Sequence, residues 1–353
     1  MQQTENFKKY ITAFEKKLGG IVTGDISPSP YCIKYLTHLL LHQKYYLEIY
    51  ADVLNKLMQH SFKSKDDTLL VDYGSGNGLL GIFAKYCGFK KVFLNDIDAN
   101  FINASRQLAN QLDVKPDGFF TSDISMAKAS LKNNAPDAIV GTDVIEHIYN
   151  LDTFFATLRQ INPSMVSVFT TASNPDNYFK VKALKQMQIK DELEGGKPGD
   201  SILYGEHPLE PFLKIREQII RWRQHDLPDQ VVMKLARATR GLNKEDIINA
   251  VDDYHLSGKL PDAPAHETNT CNPIDGSWTE RILSLTEYKL LYKSAGFTAK
   301  FYNGFFNAKE GGPGGFIKQM LNAGVAILGK RIAPYIIIVG NEAKNLDNLP
   351  VKG

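Results

Sequence analysis

The sequence predicts an α/β protein built on a doubly wound parallel sheet, with a helical N-terminal cap and a large helical insert. Three observations carry that prediction. Short apolar runs alternate with helical periodicities between residues 66 and 173, which is the rhythm of βαβ units. A glycine-rich turn, "VDYGSGNGLLG", closes the first of those runs, at the end of a strand where open α/β sheets bind their ligands. The alternation then stops for about a hundred residues and resumes near residue 281.

Taken in order, residues 1–65 read as the cap. From Tyr31, "YCIKYLTHLLLHQKYYLEIYADVLNKLMQH" keeps apolar residues three and four apart, the spacing of helices with one buried face. Residues 66–173 form the core: "TLLVDYG" as strand, "LLGIFAKYCG" as helix closed by Gly88, "KVFLNDID" as strand and "ANFINASRQLANQLD" as helix. The series continues with "DGFFTSDIS" as strand, "MAKASLKN" as helix, "PDAIVGTDVIEHI" as a strand running into a helix, and "SMVSVFTTAS" as strand. Five strands result. Residues 174–280 form the insert, charged and helical, in which Asn243 caps "NKEDIINAVDDYHLSG" and Asp246 occupies its first turn. Residues 281–353 return to the core with a helix ending at Gly296 and two β-like runs, "TAKFYNGFF" and "PYIIIVGNE".

Composition excludes several classes. With 43% hydrophobic and 23% charged residues the 353-residue chain is ordinary for a globular protein. A net charge of +2 and the lack of a basic run argue against nucleic acid as a partner. Three scattered cysteines, Cys32, Cys87 and Cys271, fit a reducing compartment better than a disulfide scaffold. The first residues lack an apolar core of the secretory kind, so a cytoplasmic location is expected. Oligomeric state is left open.

The glycine turn contains two overlapping patterns. Gly76 to Gly81 reads as G-x-G-x-x-G, the dinucleotide fingerprint, and Gly74 to Gly78 reads as G-x-G-x-G directly after Asp72. Both rest on close approach of backbone to ligand, but a dinucleotide brings a pyrophosphate to the helix N-terminus. A sulfonium cofactor brings instead an α-amino group and a positive sulfur, for which Asp72 is a suitable neighbour. Asp96, about twenty residues on, suits a ribose diol in either case.

The downstream series "VDYGSGNG", "VFLNDID", "TSDIS" and "PDAIVGTDVIEHI" resembles the successive motifs of the class I S-adenosylmethionine-dependent methyltransferases. The resemblance covers residues 66–173 and resumes at 281–342, where "LSLTEYKLLYKSAGF" is similar to the family's late helix. It implies a Rossmann-like methyltransferase sheet and S-adenosylmethionine as cofactor. It also implies that Gly74, Gly76 and Gly78 line the cofactor, with Asp72 near its amino-acid end. Asp96 would bind the ribose hydroxyls, Asp123 and Ile124 would flank the adenine, and Asn77, Ile97 and Thr142 complete the implied set.

"DVIEH" is similar to the E-x-x-E-H motif of the ubiquinone-biosynthesis O-methyltransferases and the small-RNA 2′-O-methyltransferases. There the two acids and the histidine bind a divalent cation, so Asp143, Glu146 and His147 become candidate ligands for an ion such as Mg²⁺. Asp143 is one methylene shorter than the family's glutamate. The alternatives are that His147, with Glu146, orients the acceptor or moves its proton, and that Asp143 caps a helix. His266 and His207 of the insert are further candidates for a base or ligand. The loop "HETNTCNPIDGSWTERI" is well placed to close over a substrate.

Residues 316–329, "FIKQMLNAGVAILG", are apolar and are followed by Lys330 and Arg331. Such a helix is ordinarily core, though one flanked by basic residues can also lie on a membrane surface. The glycine run before it would let it move independently. The expected activity is methyl transfer to a small-molecule or lipid-like acceptor, on oxygen, with peripheral membrane contact as an accompanying expectation. An RNA 2′-O-methyltransferase and a non-catalytic cofactor-binding partner protein are the alternatives.

Overall fold

A computed structural model describes residues 5–27, 29–125, 135–196, 210–264, 268–308 and 312–343. Helices α1 (Ile11–Leu18), α2 (Pro30–Leu41) and α3 (Gln43–His60) form the N-terminal cap. Pro30 takes the first position of α2 and the Ser29 hydroxyl accepts from the Cys32 N–H, a start signal visible in the sequence. The core then runs β1 (Leu69–Tyr73), α4 (Leu79–Tyr86), β2 (Lys91–Asp96), α5 (Ala99–Leu112), β3 (Gly118–Thr121) and β4 (Ala138–Thr142). It continues through α6 (Leu151–Ile161) to β5 (Val166–Thr171). The helix expected over "MAKASLKN" lies outside the described residues.

Helices α7 (Tyr178–Leu193), α8 (Phe212–Arg223), α9 (Asp229–Ala238) and α10 (Lys244–Ser257) make up the insert. The chain returns through α11 (Leu285–Ser294), β6 (Phe297–Asn303), α12 (Gly312–Leu328) and β7 (Ile336–Glu342). Asn243 does cap α10, accepting from the Asp246 N–H at 3.0 Å. Ser284 and Glu287 cap α11 reciprocally.

The seven strands form one sheet in the order β3-β2-β1-β4-β5-β7-β6. The first five are parallel, and β7 inserts antiparallel between β5 and β6. Strand order reverses between β1 and β4, which opens a crevice at their C-terminal ends. One core cluster packs the cap with α4 and α5 on one face of the sheet. A second packs α6 and α11 on the other face. The insert has its own apolar centre, with Ile220, Leu235 and Ile247 fully buried. A buried Arg216–Glu192 ion pair links α8 to α7.

The structure departs from the sequence reading at three places. The "DVIEHI" segment is not the start of a helix: Asp143 adopts φ +50°, Ile145–His147 make a single 3₁₀ turn, and α6 begins only at Leu151. Its cap is Asn150, whose side chain accepts from the Thr153 N–H at 2.9 Å, so Asp143 caps nothing. The glycine run from Gly312 is the first turn of α12 rather than a hinge before it. Finally, α12 is not core, because its apolar residues are largely exposed. Among the described residues no helix is long and apolar enough to cross a membrane.

Candidate active site

The glycine turn is held from behind. The Asp96 carboxylate accepts from the Gly76 N–H at 2.8 Å and from the Asp98 N–H at 2.9 Å. Asp72 accepts from the Gly81 N–H at 2.8 Å, bracing the first turn of α4. Its full burial, with only that one hydrogen bond in compensation, raises its carboxyl to about 8. Gly74, Gly76 and Gly78 all have positive φ. A Cβ on Gly74 would sit 2.3 Å from a Val144 methyl, and one on Gly78 2.4 Å from Leu94. Those two glycines therefore answer to protein packing, whereas Gly76 faces the ring of Tyr35 at 3.3 Å.

The cap covers this turn. The Asn77 side-chain amide donates to the Cys32 carbonyl of α2 at 3.1 Å, and Tyr31 and Tyr35 pack edge-on against Phe101 of α5. Asn77 Oδ1 and Ser75 Oγ are buried with no partner. Buried polar atoms of this kind take a partner from water or from a bound ligand. A cofactor carrying an ammonium group and a ribose diol supplies donors, and Asp72 and Asp96 lie on the two adjacent strand ends. Asp123 is exposed and accepts from Ser125. Ile124 is buried, Ile97 is 77% exposed at the end of β2, and Thr142 ends β4.

The second half of the site is assembled from distant chain. Residues 278–281 run against residues 146–149: the Trp278 N–H donates to the His147 carbonyl at 3.3 Å and the Arg281 N–H to the Glu146 carbonyl at 3.2 Å. The indole N–H of Trp278 donates to the Tyr149 carbonyl at 3.0 Å. From α7, Gln188 Nε2 donates to the carbonyls of Thr279 and Glu280, each at 2.9 Å. This clamp forces Glu280 to φ +47°, a conformation disfavoured for glutamate. Asp143 is likewise left-handed.

The result is a cluster of three carboxylates and one imidazole. His147 Nδ1 donates to the Trp278 carbonyl at 2.7 Å; a carbonyl can only accept, so Nδ1 carries the hydrogen. Nε2 is thereby turned toward Glu280 Oε1, 3.9 Å away. Glu280 also accepts from the Ser173 hydroxyl at 3.0 Å. Glu146 is buried, with one oxygen receiving the Ala172 N–H at 3.2 Å and the other bare. Burial first, then the Glu280 and Asp143 charges, push its carboxyl well above the usual range. Asp143 keeps solvent-exposed surface. Burial and Glu280 raise it to about 6, while His147 and Lys180 act the other way.

One atom each of Glu146, His147 and Glu280 fall within 4.8 Å of one another. The candidate ligand set therefore differs from the one the sequence implied, since Glu280 takes the place of Asp143. His266 and His207 lie outside the described residues. Tyrosines of the cap lie near enough to this cluster to interact with it. Tyr35, Tyr45 and Tyr46 feel the Asp143 charge, and burial is the main cause that raises each of them, Tyr46 to about 12. Tyr45 donates to the Phe305 carbonyl at 3.0 Å, and Tyr46 pairs with His38 Nε2 at 3.1 Å. Sequence reasoning missed both Glu280 and the tyrosines. The latter were announced by the density of "YCIKYLTHLLLHQKYYLEIY" on two helices.

A family model for the methyltransferase domain matches residues 42–229. The chain belongs to that family. A ribosomal protein L11 methyltransferase of Psychrobacter arcticus is 31% identical over 94 residues, which is 26% of this chain and 30% of that protein. The match thus spans under a third of the relative's length. Among solved structures, a Listeria monocytogenes protein provisionally named an S-adenosylmethionine-dependent methyltransferase is 11% identical over 83% of this chain and 98% of that one, with a TM-score of 0.39. An RNA methyltransferase of Salinibacter ruber in complex with S-adenosyl-L-homocysteine is 19% identical over 35% of this chain and 74% of that one, with a TM-score of 0.27. In this member of the family the bare polar atoms of the glycine turn fit S-adenosylmethionine.

Proposed function

We propose that the protein transfers a methyl group from S-adenosylmethionine to a hydroxyl of a small, aromatic or lipid-like acceptor, in the manner of the ubiquinone-biosynthesis O-methyltransferases. One observation carries the reading: His147 holds its Nδ1 proton on the Trp278 carbonyl and turns Nε2 toward the acidic cluster of Glu280, Glu146 and Asp143. A neutral Nε2 in that position is a proton acceptor for an acceptor hydroxyl. Tyr35, Tyr45 and Tyr46 supply flat apolar faces for a ring or isoprenoid-like body. Alignment of the hydroxyl with the sulfonium supplies much of the rate in such a displacement.

Glu146, His147 and Glu280 also fit a divalent cation. The bare Glu146 oxygen, the Glu280 carboxylate and an imidazole oriented by the Trp278 carbonyl suit Mg²⁺ or a softer ion. Such an ion lowers the pKa of a bound hydroxyl. The protein's own residues would then hold the ion, orient the acceptor and screen the cluster's mutual repulsion.

Release of S-adenosylhomocysteine should be measured with phenolic, catecholic and prenylated phenolic acceptors beside alkylamines and a protein lysine acceptor, with and without EDTA. Transfer to a phenolic oxygen is expected. Preference for an amine or a protein side chain would overturn the oxygen assignment, and turnover unchanged in EDTA would remove the metal while leaving His147 as base.

A further inference from the structure

The last helix before β7 does something unusual for a globular protein: it turns its apolar side outward. Phe316, Ile317, Met320, Leu321, Ile327 and Leu328 of α12 are all exposed, Ile327 at 83% and Phe316 at 65%. At 3.6 residues per turn these six positions fall within about 140° of arc, so they form one stripe rather than a scatter. The opposite side of the helix is the anchored one. Val325 is buried, and Asn322 exchanges two hydrogen bonds with the backbone of Phe306, at 2.7 and 3.0 Å.

A second apolar element stands beside the end of this stripe. Asn174 donates to the carbonyls of Lys330 and Ala333, both at 2.8 Å, and Asn177 donates to Ala333 at 3.1 Å. The next two residues, Tyr178 and Phe179, are 70% and 77% exposed and pack edge-to-face. Within the helix and the turn that follows it the charges have one sign. Lys318, Lys330 and Arg331 are the charged residues from 312 to 333, with no acid among them. Asp176 and Lys180 flank the aromatic pair.

We propose that this face docks on an anionic phospholipid surface. An apolar stripe with interfacial aromatics and basic residues at its end is the composition of helices that lie in a headgroup layer, and the basic residues complement anionic lipid. A second copy of the chain is a poorer occupant. The stripe is about 20 Å long and one helix wide, a footprint of about 200 Å², against roughly 800 Å² per partner in a stable interface. Pairing two such stripes would also bring like basic charges to one interface. The face is tied to the cleft as well, since the loop that Asn322 holds is the one whose Phe305 carbonyl accepts from Tyr45. A lipid-like acceptor leaving the bilayer would meet the tyrosine wall first. The docking itself does not depend on that acceptor.

The test is flotation of the full chain with vesicles of neutral phosphatidylcholine and of phosphatidylcholine containing phosphatidylglycerol. Three proteins are compared: the unchanged chain, Ile317→Asp combined with Leu321→Asp, and Lys330→Glu combined with Arg331→Glu. Both pairs of residues are peripheral to the described core, and a thermal melt with S-adenosylhomocysteine calorimetry checks fold and cofactor site separately. The unchanged chain should float with anionic vesicles and at least tenfold less with neutral ones or in 0.5 M salt. Each double variant should lose at least tenfold of the anionic binding while still binding S-adenosylhomocysteine. No flotation of the folded unchanged chain overturns the proposal, as does equal flotation of the apolar variant. A concentration-dependent dimer by sedimentation that the apolar variant abolishes, without flotation, would assign the face to a second copy.

Discussion

Glu280→Gln should make the metal-free protein more stable at alkaline pH and less active. The substitution keeps an acceptor for the Ser173 hydroxyl and the same backbone cost at φ +47°, so it changes charge alone. Glu280 raises both Asp143 and Glu146. Two like charges about 5 Å apart at an effective dielectric near 20 repel by about 3 kcal/mol. That is an upper bound, because Glu146 escapes part of the repulsion by keeping its proton. The native pKa values of both neighbours lie above their unfolded values. The folded chain therefore holds protons that the unfolded chain has released, and stability falls as pH rises from about 4 through 6 for Asp143 and further for Glu146. Removing the Glu280 charge lowers both native values and flattens that fall.

At pH 3 the two EDTA-dialysed proteins should unfold at similar urea concentrations, since both neighbours are protonated there with or without the Glu280 charge. At pH 8 the variant should be more stable by about 1–3 kcal/mol, a few degrees in Tm. Turnover should drop at least tenfold, the usual price of a functional charge cluster. Added Mg²⁺ or Mn²⁺ should stabilise the unchanged protein and not the variant. A variant less stable at pH 8, or pH profiles that run parallel, would refute the electrostatic account of the cluster.

Asp72→Asn retains an acceptor for the Gly81 N–H, so the apo fold should persist, while S-adenosylhomocysteine binding should weaken about 10–100-fold through loss of a charge-assisted contact. Because burial holds the Asp72 carboxyl at about 8, the cofactor's ammonium should expel a proton near pH 7. Calorimetry in two buffers of different ionisation enthalpy should detect that proton in the unchanged protein and not in the variant. Gly74→Ala places a Cβ 2.3 Å from Val144 in a left-handed residue and should cost about 3 kcal/mol, part strain and part clash. Urea melts of the double variant with Val144→Ala should recover the clash part only. Arg216→Ala strands Glu192 in the interior and should cost about 3–5 kcal/mol, seen first as faster hydrogen exchange in α8 and α9.

What the sequence made legible is what local chemistry decides. The β1 glycine turn, the alternation of strand and helix from β1 to β5 and the cap at Asn243 each depend on residues within a few positions. Two errors arose where neighbours at a distance decide. "DVIEH" has helical spacing, but the Asp143 N–H still pairs with the Thr170 carbonyl of β5 and Asp143 is left-handed, so no helix starts there. The apolar composition of α12 suggested burial, yet composition does not say which side of a helix the rest of the chain covers. Glu280 was invisible for a related reason. The imidazole of His147 and the carbonyl that orients it are 131 residues apart, and nothing in either local pattern announces the pairing.

That pairing gives the insert a role beyond covering the cleft. Gln188 of α7 fixes the carbonyls of Thr279 and Glu280, and Asp191 accepts from the Thr279 hydroxyl at 2.9 Å. Glu192 accepts from the Thr270 hydroxyl at 2.7 Å while paired with Arg216. Three residues on one face of α7 thus hold the segment that brings Glu280 and the Trp278 carbonyl to His147. The strain at Glu280 is stored by this scaffold rather than by the sheet, as expected where a disfavoured conformation is over-determined by its surroundings. Loosening the insert should therefore disturb the imidazole tautomer and the carboxylate cluster while the glycine turn, braced by Asp72 and Asp96, keeps its shape. Cofactor binding and acceptor chemistry are consequently separable in this chain. Arg216→Ala should spare S-adenosylhomocysteine affinity to within a few-fold at temperatures where the core stays folded, yet depress turnover far more. Equal loss of both would mean that the insert supports the cofactor half as well, and the division of labour argued here would fail.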